Sequence, residues 1–132
     1  MHHPATSTGD HPVMAKSFAD ERGTIEDILE GPIDSVTKIF TRAGAVRGNH
    51  VHKETTQWTF VMSGLLQAFS PAGSAVYPQG SLIEEPPGVP HAWKAVRDTT
   101  VLVLTRGPRS GENYESDTTR LPREEWLVHP DA

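Results

Sequence analysis

Between residues 55 and 63 the side chains alternate: Gln57, Thr59 and Val61 share one face of an extended strand, and Trp58, Phe60 and Met62 the other. A period of two over that length excludes an amphipathic helix. On either side the chain is cut into short extended runs, near 24–29, 35–41, 65–70, 75–78, 81–85, 91–95 and 99–105, by turns rich in glycine and proline. The 11 glycines and 11 prolines suit many tight turns. Short strands with regular turns predict an all-β fold, a small barrel or jelly roll, and 132 residues provide for one such domain. If Gln57 points into the barrel, the apolar Trp58 face points out of it. That face needs a cover, supplied either by a partner subunit, which gives a homodimer, or by the chain's own N-terminal strand.

The ends of the chain read differently. Residues 1–16 are polar, contain Pro4 and Pro12, and show no hydrophobic period, so they are expected to form a loose N-terminal arm ahead of a single domain over 17–132. His2, His3 and His11 fall in that arm, where solvent exposure is the expected state. Beyond Gly107 and Pro108 the strand pattern lapses into a short C-terminal tail. Pro122 through Trp126 suggests a brief helical turn that packs Trp126 on the barrel.

Composition narrows the function classes. The net charge is −5 and there is no basic cluster, which argues against nucleic acid and anionic membrane as partners. The absence of cysteine removes disulfides, thiolate nucleophiles and zinc–thiolate sites. With neither a signal-peptide pattern nor an apolar run long enough to span a bilayer, a cytoplasmic protein with a small-molecule substrate is expected.

Chemistry concentrates in two segments. His50 and His52 are two residues apart in an extended run, so both imidazoles leave the same face, about 7 Å apart at their roots. Gln57 follows, and a second segment from Gly80 through Pro86, Gly88 and Pro90 ends on His91. Imidazole nitrogens suit Zn, Ni, Cu and Fe, and ligands brought from separate strands can leave positions open for substrate. Gln57 would add an amide oxygen that cancels no charge, leaving such an ion more attractive to an anionic substrate.

In their order and spacing, Gly44, His50, His52, Gln57 and Gly64 resemble the first cupin motif, with Gln where the family usually has Glu. Gly80, Pro86, Gly88 and His91 resemble the second, with Ala95 at the usual closing Asn. The resemblance implies an RmlC-like double-stranded β-helix. It also implies a divalent metal ion, Zn, Fe, Ni or Mn, held by His50, His52, Gln57 and His91, and chemistry of an isomerase, lyase or oxygenase on a small anionic or carbonyl-containing substrate.

A second resemblance competes with the first. Asp20 to Gly23, Arg47, Gly48, Asn49, Lys53, Gln57, Tyr114, Asp117 and Arg120 are together similar to the nucleotide-sugar 3,4-ketoisomerases, a cupin branch near the deoxysugar 3,5-epimerases. That similarity implies isomerisation of a dTDP-4-keto-6-deoxysugar with no metal at all. His50 would be the base, His52 its partner, and Arg47 a stabiliser of the developing oxyanion or a clamp for diphosphate. Tyr77 and Tyr114 are further candidate donors, and Trp93 a candidate stacking surface. A noncatalytic small-molecule-binding cupin is the third reading, because the fold hosts all three.

Overall fold

The computed structural model describes residues 4–5, 13–14, 16–108 and 114–130. Its strands are β1 (Pro4–Ala5), β2 (Val13–Met14), β3 (Lys16–Asp20), β4 (Gly23–Asp27), β5 (Ser35–Thr41), β6 (Val46–His52), β7 (Thr56–Ser63), β8 (Leu65–Ser70), β9 (Gly73–Pro78), β10 (Leu82–Glu85), β11 (His91–Ala95), β12 (Thr99–Arg106) and β13 (Thr118–Arg120). A single helical turn, α1 (Tyr114–Asp117), precedes β13, and a 3-10 turn (Arg123–Glu125) follows it. Apart from β1, β2 and the first residue of β3, the arm expected over 1–16 lies outside the described residues, as do His2, His3 and His11.

Two antiparallel sheets carry the fold. One has the order β10-β7-β12-β5 and the other β13-β6-β11-β8-β9, while β3 and β4 form a separate hairpin. The core lies between the two sheets: Val61, Ile83, Val101 and Val103 from the first meet Leu66, Ala68, Tyr77 and Trp93 from the second. Alternation is clearest on β12, where Thr99, Val101, Val103 and Thr105 are buried and the residues between them are not. Inward threonines keep their hydroxyls satisfied: Thr99 Oγ1 donates to the Arg97 carbonyl and accepts from Leu65 N, and Thr105 bonds Ser35.

Gly64, between β7 and β8, has φ 98°, and a methyl group there would lie 2.7 Å from Thr99 Cα. Only glycine fits so close a crossing.

The outer face of β7 is covered at one end by the chain itself, though by a loop and not by an N-terminal strand. Ile28, Leu29 and Ile33 pack with Leu104 around Trp58 and Leu82. Farther along that sheet Val36, Phe40 and Met62 remain exposed, and on the β3–β4 hairpin so do the cross-strand partners Phe18 and Ile25. The tail differs from its sequence reading as well. A strand, β13, forms where no alternation announced one, and its Thr118, Thr119 and Arg120 pair with His52, Val51 and His50. Three residues are too few to show a period, so pairing with β6 decides their conformation.

Candidate active site

Strand β6 delivers two of the three site histidines and departs from regular geometry to do so. Gly48 and Asn49 both have left-handed backbones, φ 94° and 55°, and the β6–β11 register slips between His91 and Ala92. A side chain on Gly48 would meet Ala92 Cα and the His91 carbonyl at 3.0 Å. The bulge lets the strands approach, and it turns Asn49 toward the C-terminal segment. Asn49 Nδ2 donates to the Val128 carbonyl, and its Oδ1 accepts from Leu127 N at 2.8 Å. Residues 121–130 are thereby held against one end of the barrel, and Trp126 and Pro130 become part of a cavity wall.

The cavity, about 450 Å³, opens between the two sheets. His50 and His91 line it with their Nε2 atoms 3.0 Å apart. His52 is 2% exposed and sits behind them, its ring centroid 4.8 Å from that of His50 and 5.3 Å from that of His91. The three expected histidines therefore do converge. Trp93 also lines the cavity, as does Trp126, for which a purely structural place on the barrel had been expected.

Two buried carboxylates back the histidines, one on each side. Asp117 Oδ2 lies 3.4 Å from His52 Nδ1 and accepts from Thr55 Oγ1 at 2.8 Å, while Oδ1 accepts from Glu54 N at 2.8 Å. His52 Nδ1 also meets Thr118 Oγ1 at 3.0 Å. On the other side Glu85 is 2% exposed, with Oε2 3.9 Å from His91 Nε2. Its Oε1 accepts from Gln57 Nε2 at 3.0 Å and from Thr59 Oγ1 at 2.6 Å. Gln57 lies directly opposite Glu85 across the β7–β10 pair, so its amide nitrogen is committed to that carboxylate. No motif marks Glu85 in the sequence. The available signal was period two along 82–85, which turns Glu85 inward with Ile83.

Arg47 and Arg120 line the cavity, and neither Glu85 nor Asp117 does. Arg47 Nε donates to Thr41 Oγ1 and its terminal nitrogen to the Phe40 carbonyl. Both partners are neutral, so the contacts orient the guanidinium without cancelling its charge. Tyr77 packs in the core between the sheets, where burial, with the Glu85 carboxylate adding to it, pushes its phenol above the ordinary 10.0. The phenol therefore stays protonated at neutral pH. The Tyr114 side chain lies outside the described residues.

His50, His52 and His91 could hold a metal ion, with candidate ligand atoms within 4.8 Å of one another. Two nitrogens each about 2.1 Å from one ion lie at most about 4.2 Å apart; the His50 and His91 Nε2 atoms, 3.0 Å apart, are already within that span. The donor type fits, and the spacing of the cluster is close to what one ion needs.

The cupin family profile matches residues 27–123, and the chain belongs to that family. Among solved structures, it is similar to a sugar 3,4-ketoisomerase from Thermoanaerobacterium thermosaccharolyticum in complex with TDP, at 21% identity and TM-score 0.64 over 84% of this chain and 87% of that one. It is also similar to the dTDP-4-dehydrorhamnose 3,5-epimerase from Sulfolobus tokodaii, at 18% identity and TM-score 0.62 over 85% and 77%. A third is the 4-keto-6-deoxy sugar epimerase from the novobiocin biosynthetic gene cluster of Streptomyces spheroides, at 14% identity and TM-score 0.68 over 89% and 72%. At these identities the likeness is one of fold. No curated protein matches the chain by sequence. No helix among the described residues is long and apolar enough to cross a membrane.

Proposed function

We propose that this cupin isomerises or epimerises a nucleotide-linked 4-keto-6-deoxysugar by histidine acid–base chemistry. The observation that carries the reading is the pair of imidazoles facing the cavity 3.0 Å apart, with the buried His52–Asp117 contact behind His50. Solved structures of the same fold include a ketoisomerase bound to TDP and a mutant of that same enzyme bound to TDP-4-keto-6-deoxyglucose, and the arginines of this cavity suit a diphosphate.

The chemistry balances without a co-reactant. His50 takes the proton from the carbon beside the ketone, the C–H electron pair becomes a carbon–carbon double bond, and the former carbonyl oxygen accepts a proton. Return of a proton to the former carbonyl carbon, as the neighbouring hydroxyl becomes the new ketone, moves the carbonyl by one position. Return to the opposite face of the original carbon instead inverts it. Imidazole suits both transfers because its ordinary pKa is about 6.5. In this reading Arg47, which lines the cavity, stabilises the oxyanion or clamps the diphosphate.

The metal reading keeps one observation in its favour, the convergence of three imidazoles. A divalent ion held there by His50, His52 and His91 would supply a Lewis acid for the substrate carbonyl. The deciding experiment incubates the protein with TDP-4-keto-6-deoxyglucose, follows the sugar by NMR, and measures metal content, with and without chelator. Chelator-insensitive turnover is expected. Loss of turnover on chelation and its return with Zn, Fe, Ni or Mn would establish the metal reading instead. Saturable binding without product would leave a binding module.

The same proposal includes a homodimer in which Val36, Phe40 and Met62 on one sheet, together with Phe18 and Ile25 on the hairpin, are covered by a second copy. At micromolar concentration the protein should sediment as a dimer, and Phe40→Glu as a monomer. A monomeric wild type would remove this part of the proposal.

A further inference from the structure

Glu85 is a buried carboxylate for which the acid–base scheme above has no use. We infer that it is a positioning residue: it keeps the proton of neutral His91 on Nε2, making His91 the hydrogen-bond donor and leaving the facing Nε2 of His50 with the lone pair that acts as base. Glu85 thereby divides two like side chains into a hydrogen-bond donor and a base.

Two facing Nε2 atoms at 3.0 Å require one hydrogen between them, and either ring could carry it. Two independent features choose His91. The first is electrostatic. Glu85 Oε2 stands 3.9 Å from His91 Nε2, too far for a hydrogen bond but close enough in a buried setting to favour the positive end of an N–H there over a lone pair. Gln57 and Thr59 both donate to Glu85 Oε1, which holds the carboxylate in place beside His91. The second feature is the far side of the ring. His91 Nδ1 is buried with no hydrogen-bond partner among the described residues. An orphaned acceptor there is tolerated more readily than an orphaned N–H, so the proton belongs on Nε2.

The consequence for substrate is geometric. A carbonyl oxygen entering the cavity can take over the hydrogen bond that His91 gives to His50. That exchange polarises the ketone and frees the His50 lone pair for the neighbouring C–H in the same movement. His91 keeps its proton and holds the oxygen by a hydrogen bond while His50 takes the proton from carbon and then passes it to that oxygen, so neither ring has to become an anion and both end the enolisation step as they began it.

The inference deepens the isomerase reading and rests on it for its kinetic arm alone. The first measurement needs no substrate: long-range proton–nitrogen NMR of histidine-labelled wild-type protein, with the His91 signals assigned by their loss in His91→Gln. A proton on Nε2 is expected, and a proton on Nδ1 would overturn the inference. In Glu85→Gln the His91 proton should redistribute toward Nδ1, and kcat should fall about 10²-fold with KM within about twofold of wild type. Glu85→Asp, which keeps the charge, should recover part of the rate. An unchanged tautomer in Glu85→Gln, with or without a rate loss, would reduce Glu85 to a structural residue. Should that variant not fold, Glu85→Asp takes its place: its shorter side chain moves the carboxylate away from His91, so partial redistribution of the proton toward Nδ1 is expected, and an unchanged tautomer would overturn the role of Glu85. Should wild type not turn over the nucleotide sugar, the isomerase reading fails by itself and the tautomer still tests Glu85.

Discussion

His50→Ala should lower turnover of TDP-4-keto-6-deoxyglucose by about 10²–10⁴-fold, the range general acid–base catalysis ordinarily contributes. Of the two histidines that β6 supplies, His50 lines the cavity and His52 lies behind it, so under the proposed function His50 is the one to meet a C–H bond of a bound sugar. Removing its imidazole leaves His52, Asp117 and the arginines where they are. Affinity for TDP, which the proposed function assigns to Arg47 and Arg120, should therefore stay within about threefold of wild type, because phosphate contacts do not use the imidazole that acts as base. The checks are steady-state kinetics and calorimetry with TDP on the same preparation. A variant that keeps more than a tenth of wild-type kcat would exclude His50 as the base. One that loses TDP affinity in parallel with rate would point to a collapsed cavity.

A second large effect is expected at Asp117, this time in stability. Its two oxygens accept from Glu54 N and Thr55 Oγ1, and one stands 3.4 Å from His52 Nδ1. Both Asp117 and Thr55 are buried. Asp117→Ala would leave the Thr55 hydroxyl and the Glu54 amide without their acceptor, in a place water reaches poorly, and would take the carboxylate from beside His52. Stranding buried donors in this way costs on the order of 3 kcal/mol. Asp117→Asn keeps one oxygen acceptor and should cost about half as much. Urea denaturation gives both values from the midpoint shift, and a loss under about 0.5 kcal/mol for Asp117→Ala would show that the network is solvated and carries little.

Much of the architecture could be read from residue order because the barrel's strands are short and end on turn residues. Period two placed Gln57, Thr59 and Val61 inward, and they are buried. Spacing brought His50, His52 and His91 together because inward positions on neighbouring antiparallel strands must meet, and His50 and His91 are register partners. What escaped was what depends on register across the sheet or on contacts between distant segments. Glu84 and Glu85 look like a solvated acidic pair in isolation. Only pairing with β7 shows that one accepts from Trp58 Nε1 and the other from Gln57. Likewise β13 has no pattern of its own, and Trp126 enters the cavity wall through Asn49, a side chain placed by a bulge no propensity announces.

That bulge, and the last strand it lies beside, bear on how the protein is made. His52 and Thr118 are 66 positions apart in the chain, and Asn49 and Val128 are 79 apart. Loops of that length close late, after local hairpins such as β8–β9 have formed. During synthesis the histidines emerge well before the residues that shield them, and a half-made barrel leaves β6 as an open sheet edge. The finished cavity and the protection of that edge thus arrive in a single closing event, and a slow step in refolding should coincide with the recovery of ligand binding.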